Sequence, residues 1–337
     1  MSTDHHTIAI HFAKTLIAAA ERNHLDLDIL LEKADLNREM LTNSQLRITA
    51  NQFGGLMHAL WQAGDDELMG MAGVPSRYGV FAMMAKQAVR CRTLRSALYH
   101  LCKFYSLVAP GLELTFIDDG VNTRVTTQLN FPEHDPDHTL REFLMLVWHR
   151  FASWLVGQRI PLSHIDFEYP QPEHVAEYRL MYPCPARFQQ PTNSLVLPSS
   201  ALGLPVIQTP ECLRSYLRNA PVQWFQRQAY FPVFTRKVID YLEENQHVGE
   251  SSMDNIADEL HMTTRTLRRK LAEEQTTFQE LKDRVRRDHA IHQLSKPALS
   301  IAQISRELGF SEPAAFTRAF KQWTGVPPSS YRGGVKA

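Results

Sequence analysis

The sequence predicts a multidomain protein, in which an α+β domain is followed by an all-α domain of two helix-turn-helix motifs joined by a long linker helix. Three observations carry this. At 337 residues the chain is long enough for about two cores of ordinary size. Helical and alternating apolar patterns mix up to about residue 210, and helical ones dominate afterwards. Finally, the C-terminal third repeats itself: Ile256-Ala-Asp-Glu-Leu260-His-Met-Thr263 aligns with Ile304-Ser-Arg-Glu-Leu308-Gly-Phe-Ser311 at an offset of 48.

The opening segment, MSTDHHTIAIHFAKTLIAAAERN, has acidic and histidine residues where a secretory leader carries basic ones, so it reads as an amphipathic helix. From Thr7 to about Leu107 the pattern stays helical, with Ile8, Phe12, Leu16 and Ile17 on one stripe and Phe53, Leu56, Met57, Leu60 and Trp61 on another. Alternating runs Leu112–Ile117 and Thr123–Leu129 flank Asp118-Asp119-Gly120, a hairpin signal. Ile165–Tyr169 and Ser194–Leu197 read as further strands, with helical stretches Asp137–Gly157 and Glu173–Met181 around them. Phe143–Val156 is the most apolar stretch, yet it is shorter than the ~20 residues of a membrane span and holds His149 and Arg150, so it reads as a buried helix. Pro198, Pro205, Pro210 and Pro221 suggest an irregular connector. The expected division is therefore 1–210 for the α+β domain, 211–232 for the connector and 233–334 for the helical domain.

Each repeat copy has a short helix, a tight turn and a cap candidate, Thr263 or Ser311, opening a second helix. The first motif spans about 253–274 and the second about 301–324. After one inserted residue Leu267 and Leu271 align with Phe316 and Phe320, which places them on the core side of the second helices. Arg265, Arg268 and Arg269 then face outward in one copy, and Ala314, Arg318 and Lys321 in the other. Arginine can grip guanine with a bidentate fork and alanine can lie against a thymine methyl, so both outer faces suit a major groove. Thr277–Ser295 reads as one helix between the copies, with Thr277 and Glu280 as a capping box and Pro297 just past its end. It would hold the two heads in successive groove segments about 34 Å apart.

Charge agrees with this layout. The 36 basic and 36 acidic residues cancel, which excludes a wholly basic coat and an acidic disordered tail. The balance is uneven, however: residues 1–235 carry 20 basic and 22 acidic residues, 236–264 carry 2 and 7, and 265–337 carry 14 and 7. The positive end begins at the first outward-facing arginine and suits a polyanionic partner.

The residues 256–332 resemble the AraC/XylS-type DNA-binding domain, through Ile301, Ile304, Leu308-Gly309-Phe310-Ser311, Phe316, Arg318, Ala319-Phe320-Lys321, Gly325, Pro328 and Tyr331-Arg332. The resemblance implies base contacts from Arg265, Arg268, Arg269, Ala314 and Arg318, with Thr317 and Lys321 placed for phosphates. Pro313 and two alanines early in the second reading helix depart from the common pattern, so that head is expected to lean more on phosphates and DNA shape. Residues ~10–205 resemble the arabinose-binding-like sensor domain of the AraC subgroup that includes ornithine-utilisation and some virulence regulators. Gly64-Asp65-Asp66, Pro75 to Gly79, Thr93-Leu94, Ala97-Leu98, Phe104-Tyr105 and Cys184-Pro185-Ala186-Arg187-Phe188 carry that likeness. It implies an effector-sensing or dimerising domain, an effector-responsive activator as the whole, double-stranded DNA and RNA polymerase as partners, a small-molecule effector, and a homodimer. The alternative is a constitutive DNA-binding protein whose N-terminal domain only dimerises.

Other constellations are weaker. His5-His6 and His134 with His138 invite a metal, but Pro136 interrupts the second pair and no third ligand is near, so no metal or cofactor is expected. Cys184 invites an alkyl-acceptor reading, yet no flanking His, Cys or acid lowers its pKa, so no enzyme is expected. Cys91, Cys102, Cys184 and Cys212 form neither zinc pairs nor a disulfide framework, which fits the cytoplasm. Phe81, Met83, Met84, Tyr99, Phe104 and Tyr105 are candidate pocket residues, with Arg77 or Arg92 meeting an acidic group; plain core packing is the better account of the apolar ones. Arg77, Tyr78, Phe104 and Tyr105 are the effector candidates.

Overall fold

The structure, a computed structural model, describes residues 7–225, 233–244, 251–274, 276–295 and 299–332. His5, His6, Pro297 and the 226–232 part of the connector lie outside the described residues. The chain forms two compact units, His11–Ala34 with Phe53–Phe225, and Met1–Ile10 with Asp35–Gln52 and Gln226–Ala337. Seven strands are present among the described residues: β1 (Thr7–Ala9), β2 (Arg47–Thr49), β3 (Leu112–Asp118), β4 (Asn122–Leu129), β5 (His164–Asp166), β6 (Ala186–Arg187) and β7 (Asn193–Pro198).

The first unit is the α+β one. Its sheet runs β3-β4-β7-β5-β6, antiparallel except for the β5–β6 pair. The expected hairpin joins β3 to β4, with Leu112 opposite Leu129. Gly120 takes the left-handed conformation the turn needs (φ 89°), and the Asp119 carboxylate accepts from the Val121 and Asn122 amides at 2.8 and 2.7 Å. Asp166 ties β5 to the adjacent β6 through Arg187 (2.7 Å) and, across β7, to β4 through Arg124 (2.8 Å). Burial opposes its charge, but these two guanidiniums prevail and hold the carboxyl below its ordinary value.

The apolar stretch is indeed a buried helix, Thr139–Leu155, with nearly every side chain covered. Its Glu142 is buried and accepts from the Tyr178 hydroxyl (2.5 Å) and pairs with His174 (2.9 Å), so a charge inside the core has partners. No helix among the described residues is long and apolar enough to cross a membrane. Two local expectations are corrected. Thr7–Ala9 is not helical but pairs as β1 with β2, antiparallel, Thr7 opposite Thr49. The proline-rich stretch is not irregular throughout: Pro210–Asn219 and Val222–Phe225 are helices. Pro210 sits in the first turn behind the Thr209 cap, where its missing N–H costs nothing.

The second unit holds six α-helices among the described residues of its C-terminal part: Val233–Glu244, Met253–Glu259, Thr264–Glu273, Phe278–Leu294, Ile301–Glu307 and Pro313–Thr324. Phe278–Leu294 is a single helix with the Thr277/Glu280 capping box. The first head has its own core, in which Val238, Ile239 and Leu242 meet Ile256, Leu267, Leu271, Leu281 and Val285. Glu274, just past the first reading helix, accepts from the Phe234 and Thr235 amides at 3.1 and 2.7 Å and so caps the leading helix. β1 and β2 belong to this unit too. Thr7 donates to the buried Asp288 of the long helix (2.7 Å), and the Arg47 amide donates to the Tyr331 hydroxyl (3.0 Å).

The turn of the internal repeat is reproduced bond for bond. His261 N donates to Asp258 O (3.0 Å) and Met262 N to Ala257 O (2.9 Å); 48 residues on, Gly309 N donates to Arg306 O (2.9 Å) and Phe310 N to Ser305 O (3.0 Å). His261 and Gly309 occupy the same left-handed position, with φ of 53° and 75°. A side chain there costs roughly 1–2 kcal/mol. Gly309→Ala is therefore expected to destabilise the protein by about that amount and His261→Gly to relieve a similar strain. Chemical denaturation of the two variants checks this, and shifts of the same sign would contradict it.

Candidate nucleic-acid interface and sensor cavity

Each reading helix is positioned by the short helix before it. Ser252 and Ser300 cap the first helices of the two copies, 48 residues apart. Thr263 caps the first reading helix, its hydroxyl accepting from Thr266 N at 3.2 Å. The equivalent cap at Ser311 is corrected: the second reading helix starts one residue later, with Glu312 at the cap position and no side-chain capping bond. Pro313 is the reason. Its fixed φ suits the first helical position, and it forces the residue before it into the extended conformation seen at Glu312 (φ −140°, ψ 141°).

On the first helix Leu267 and Leu271 are fully buried, while Arg265, Arg268 and Arg269 are exposed. Arg269 lies 3.6 Å from Glu273, a surface pair that phosphate or base can displace at little cost. On the second helix Phe316 and Phe320 are fully buried, and Ala314, Arg318 and Lys321 are exposed. Thr317 is half-buried and donates to Pro313 O (2.9 Å), which leaves its oxygen lone pairs but not its proton for a partner. Among the described residues Arg265, Arg268, Arg318 and Lys321 form no ion pair, so their donors are available.

The α+β unit holds a partly open, apolar cavity of about 280 Å³. Its walls come from distant stretches: Trp61, the loop with Glu67 and Tyr78, Phe81, Tyr105, Phe143 and Trp148, and Trp224. The loop is built by its acids. Asp66 is buried and its carboxylate accepts from the amides of Leu68 (2.9 Å), Gly70 (2.7 Å) and Ser76 (2.7 Å). Glu67 accepts from Gly79 N (2.8 Å) and Phe81 N (2.7 Å). Burial nonetheless pushes the Glu67 carboxyl up to about 7 against those two bonds. The Gly64-Asp65-Asp66 and Pro75–Gly79 segments are thus the two sides of one hydrogen-bonded loop. Among the described residues the indole nitrogens of Trp61 and Trp148, both lining the cavity, are buried without a hydrogen-bond partner.

Of the effector candidates, Tyr78 and Tyr105 line this cavity. Phe104 is half-buried against His100 and Tyr105, and Arg77 is 84% exposed and pairs with Asp65 at 3.3 Å; neither is in the lining. Phe81 lines the cavity, Met84 is buried elsewhere, and Met83 and Tyr99 are exposed. Glu67, Trp61, Trp148 and Trp224 were not legible as site residues. The one signal pointing to them is the acid-rich Asp65-Asp66-Glu67 run between helices, which looks like ordinary surface.

A duplicated helix-turn-helix with outward arginines, in a chain with a separate α+β unit, defines a DNA-binding transcriptional regulator. The model described as "Arabinose-binding domain of AraC transcription regulator, N-term" matches residues 25–206, and a helix-turn-helix domain model matches 256–334. The chain belongs to the AraC family. It is 25% identical to the ornithine utilization regulator of Pseudomonas aeruginosa over 333 residues, 96% of each chain. It is 28% identical to the regulator VirS of Mycobacterium tuberculosis over 262 residues, 76% of each. Among solved structures, CdpR of P. aeruginosa aligns over 95% of this chain and 97% of its own at 20% identity, with a TM-score of 0.31.

Proposed function

We propose that this regulator is an effector-responsive activator, working in the cytoplasm as a homodimer that contacts RNA polymerase. Residues 1–210 would sense and dimerise, 211–232 connect, and 233–334 bind promoter DNA. Arg265, Arg268, Arg269, Ala314 and Arg318 read bases, while Lys321 holds a phosphate and Thr317 joins it by turning its hydroxyl proton from Pro313 O to the phosphate oxygen. The observation that carries effector response is the ligand-sized, mostly apolar cavity in the α+β unit. A ligand bound more tightly in one arrangement of the chain shifts the population toward the DNA-competent state by that difference in affinity. The P. aeruginosa relative is named for the utilisation of a small metabolite, which supports a metabolic operon as the target.

Catalysis has no support at Cys184. Burial, with the Asp166 charge adding, pushes its thiol up to about 12, so almost no thiolate exists at neutral pH.

Selection of binding sites from random DNA tests the interface. Arg269→Ala and Arg318→Ala are each expected to relax preference at one position, at ~1–3 kcal/mol. Unchanged preference in both variants removes the assignment, and absence of any affinity above random DNA at low salt removes the whole reading. Thermal shift against a metabolite panel, followed by operator binding with each hit, tests the effector.

A further inference from the structure

We propose that the cavity of the α+β unit binds an organic amine, a small apolar body carrying one protonated nitrogen, with the Glu67 carboxylate as its counter-ion. This rests on the reading of that unit as a sensor and names the chemistry it senses.

The cavity sets the size and the apolar character of the ligand. Its polarity is one-sided. Glu67 is the acid among the lining residues, and none of them is Lys, Arg or His. Each Glu67 oxygen accepts one backbone amide, from Gly79 or Phe81, which fixes the carboxyl in place and leaves one lone pair on each oxygen. The groups that act on it supply no cation. Asp66 beside it is acidic, and the Tyr78 and Tyr105 hydroxyls, raised first by burial and then by the Glu67 charge, stay neutral. Two amides at the start of helix Val80–Ala88 compensate this carboxylate in part; among the described residues no cation lines the cavity, and a ligand ammonium completes the compensation.

The surrounding rings favour the same charge. Trp224 packs against Trp61 (5.6 Å between centroids) and Phe81 (5.2 Å), with Tyr78 tilted on Trp61 (6.3 Å). Aromatic faces attract cations and repel anions. A carboxylate ligand would set two like charges together in the same apolar space, and a neutral one would leave Glu67 protonated. The unpartnered indole nitrogens of Trp61 and Trp148 add a further preference for an acceptor oxygen elsewhere on the ligand.

An isosteric series separates these cases: 2-phenoxyethylamine, 2-phenoxyethanol and phenoxyacetate, titrated calorimetrically into the full chain, with n-hexylamine and tryptamine as further amines. The amine is expected to bind about tenfold or more tightly than the alcohol, and the carboxylate not measurably. Below neutrality, amine binding is expected to release a proton as Glu67 ionises, read from buffers of different ionisation enthalpy. In Glu67→Gln the preference of amine over alcohol is expected to vanish, while alcohol binding and the melting transition report that the cavity is intact. The proposal is overturned if no amine binds, if the carboxylate binds as well as the amine, or if the variant keeps the preference. Operator binding distinguishes this from failure of the sensor reading. Amine binding without any change in DNA affinity supports the site and removes the sensor role; a different metabolite that changes DNA affinity while no amine binds does the reverse.

Discussion

Phe320→Ala is expected to destabilise the second head by about 3–5 kcal/mol and to abolish its contribution to DNA binding. Phe320 is fully buried, 5.5 Å from the Phe316 ring and edge-on to Tyr331 at 5.3 Å. Removing it leaves a cavity in a small core whose other aromatic members, Phe310 and Trp323, are already in contact with each other and only half-buried. The first head is built on a separate cluster around Leu267 and Leu271. The variant is therefore expected to keep footprint protection over the first half-site and lose it over the second. Arg318→Ala, on the exposed side of the same helix, is expected to change stability by less than about 0.5 kcal/mol while relaxing base preference. Denaturation and footprinting of the pair separate the helix as structure from the helix as reader; equal loss of stability in both would contradict the assignment of faces.

The second large effect concerns pH. A carboxyl whose folded-state pKa is raised binds its proton more tightly folded than unfolded, so its contribution to stability falls as pH rises between the two values. For Glu67 that window runs from the ordinary 4.5 to about 7, and the full change is about 3 kcal/mol. His149 acts in the opposite sense. Burial lowers its pKa to about 4, so its contribution is lost as pH falls from 6.5 toward that value. The difference between wild type and Glu67→Gln isolates the carboxyl. The variant is expected to gain on the wild type steadily from about pH 5 to about pH 7 and to hold that gain above. A difference that stays flat across this range would return Glu67 to an ordinary carboxylate.

Much of the helical unit was legible because its information is local. Spacing of Ile256, Leu260, Leu267 and Leu271 sets one face, and an offset of 48 copies the pattern; the structure adds caps at Ser252 and Ser300 that keep the same offset. Ser311 does not cap the second reading helix because Pro313 overrides it, a backbone constraint stronger than a capping bond. In the other unit the Asp118-Asp119-Gly120 hairpin and the buried helix around Trp148 were equally plain. The β1–β2 pair was not, since three-residue strands joining Thr7 to Thr49 are decided by a distant partner and carry no pattern of their own. The cavity was illegible for the same reason. Trp61, Glu67, Phe143 and Trp224 lie on separate stretches, and nothing in any one of them marks a shared wall.

The residue inserted before the second reading helix has a consequence for the DNA. With Pro313 opening that helix, Arg265 corresponds to Ala314, Arg268 to Thr317, and Arg269 to Arg318. The two heads descend from one plan but have only one of these three side chains in common. A chain of this kind has a front and a back on the duplex. Under the proposed base contacts, turning its site end for end would present each head with the letters meant for the other, so the orientation of a site within a promoter would decide which way the rest of the protein points.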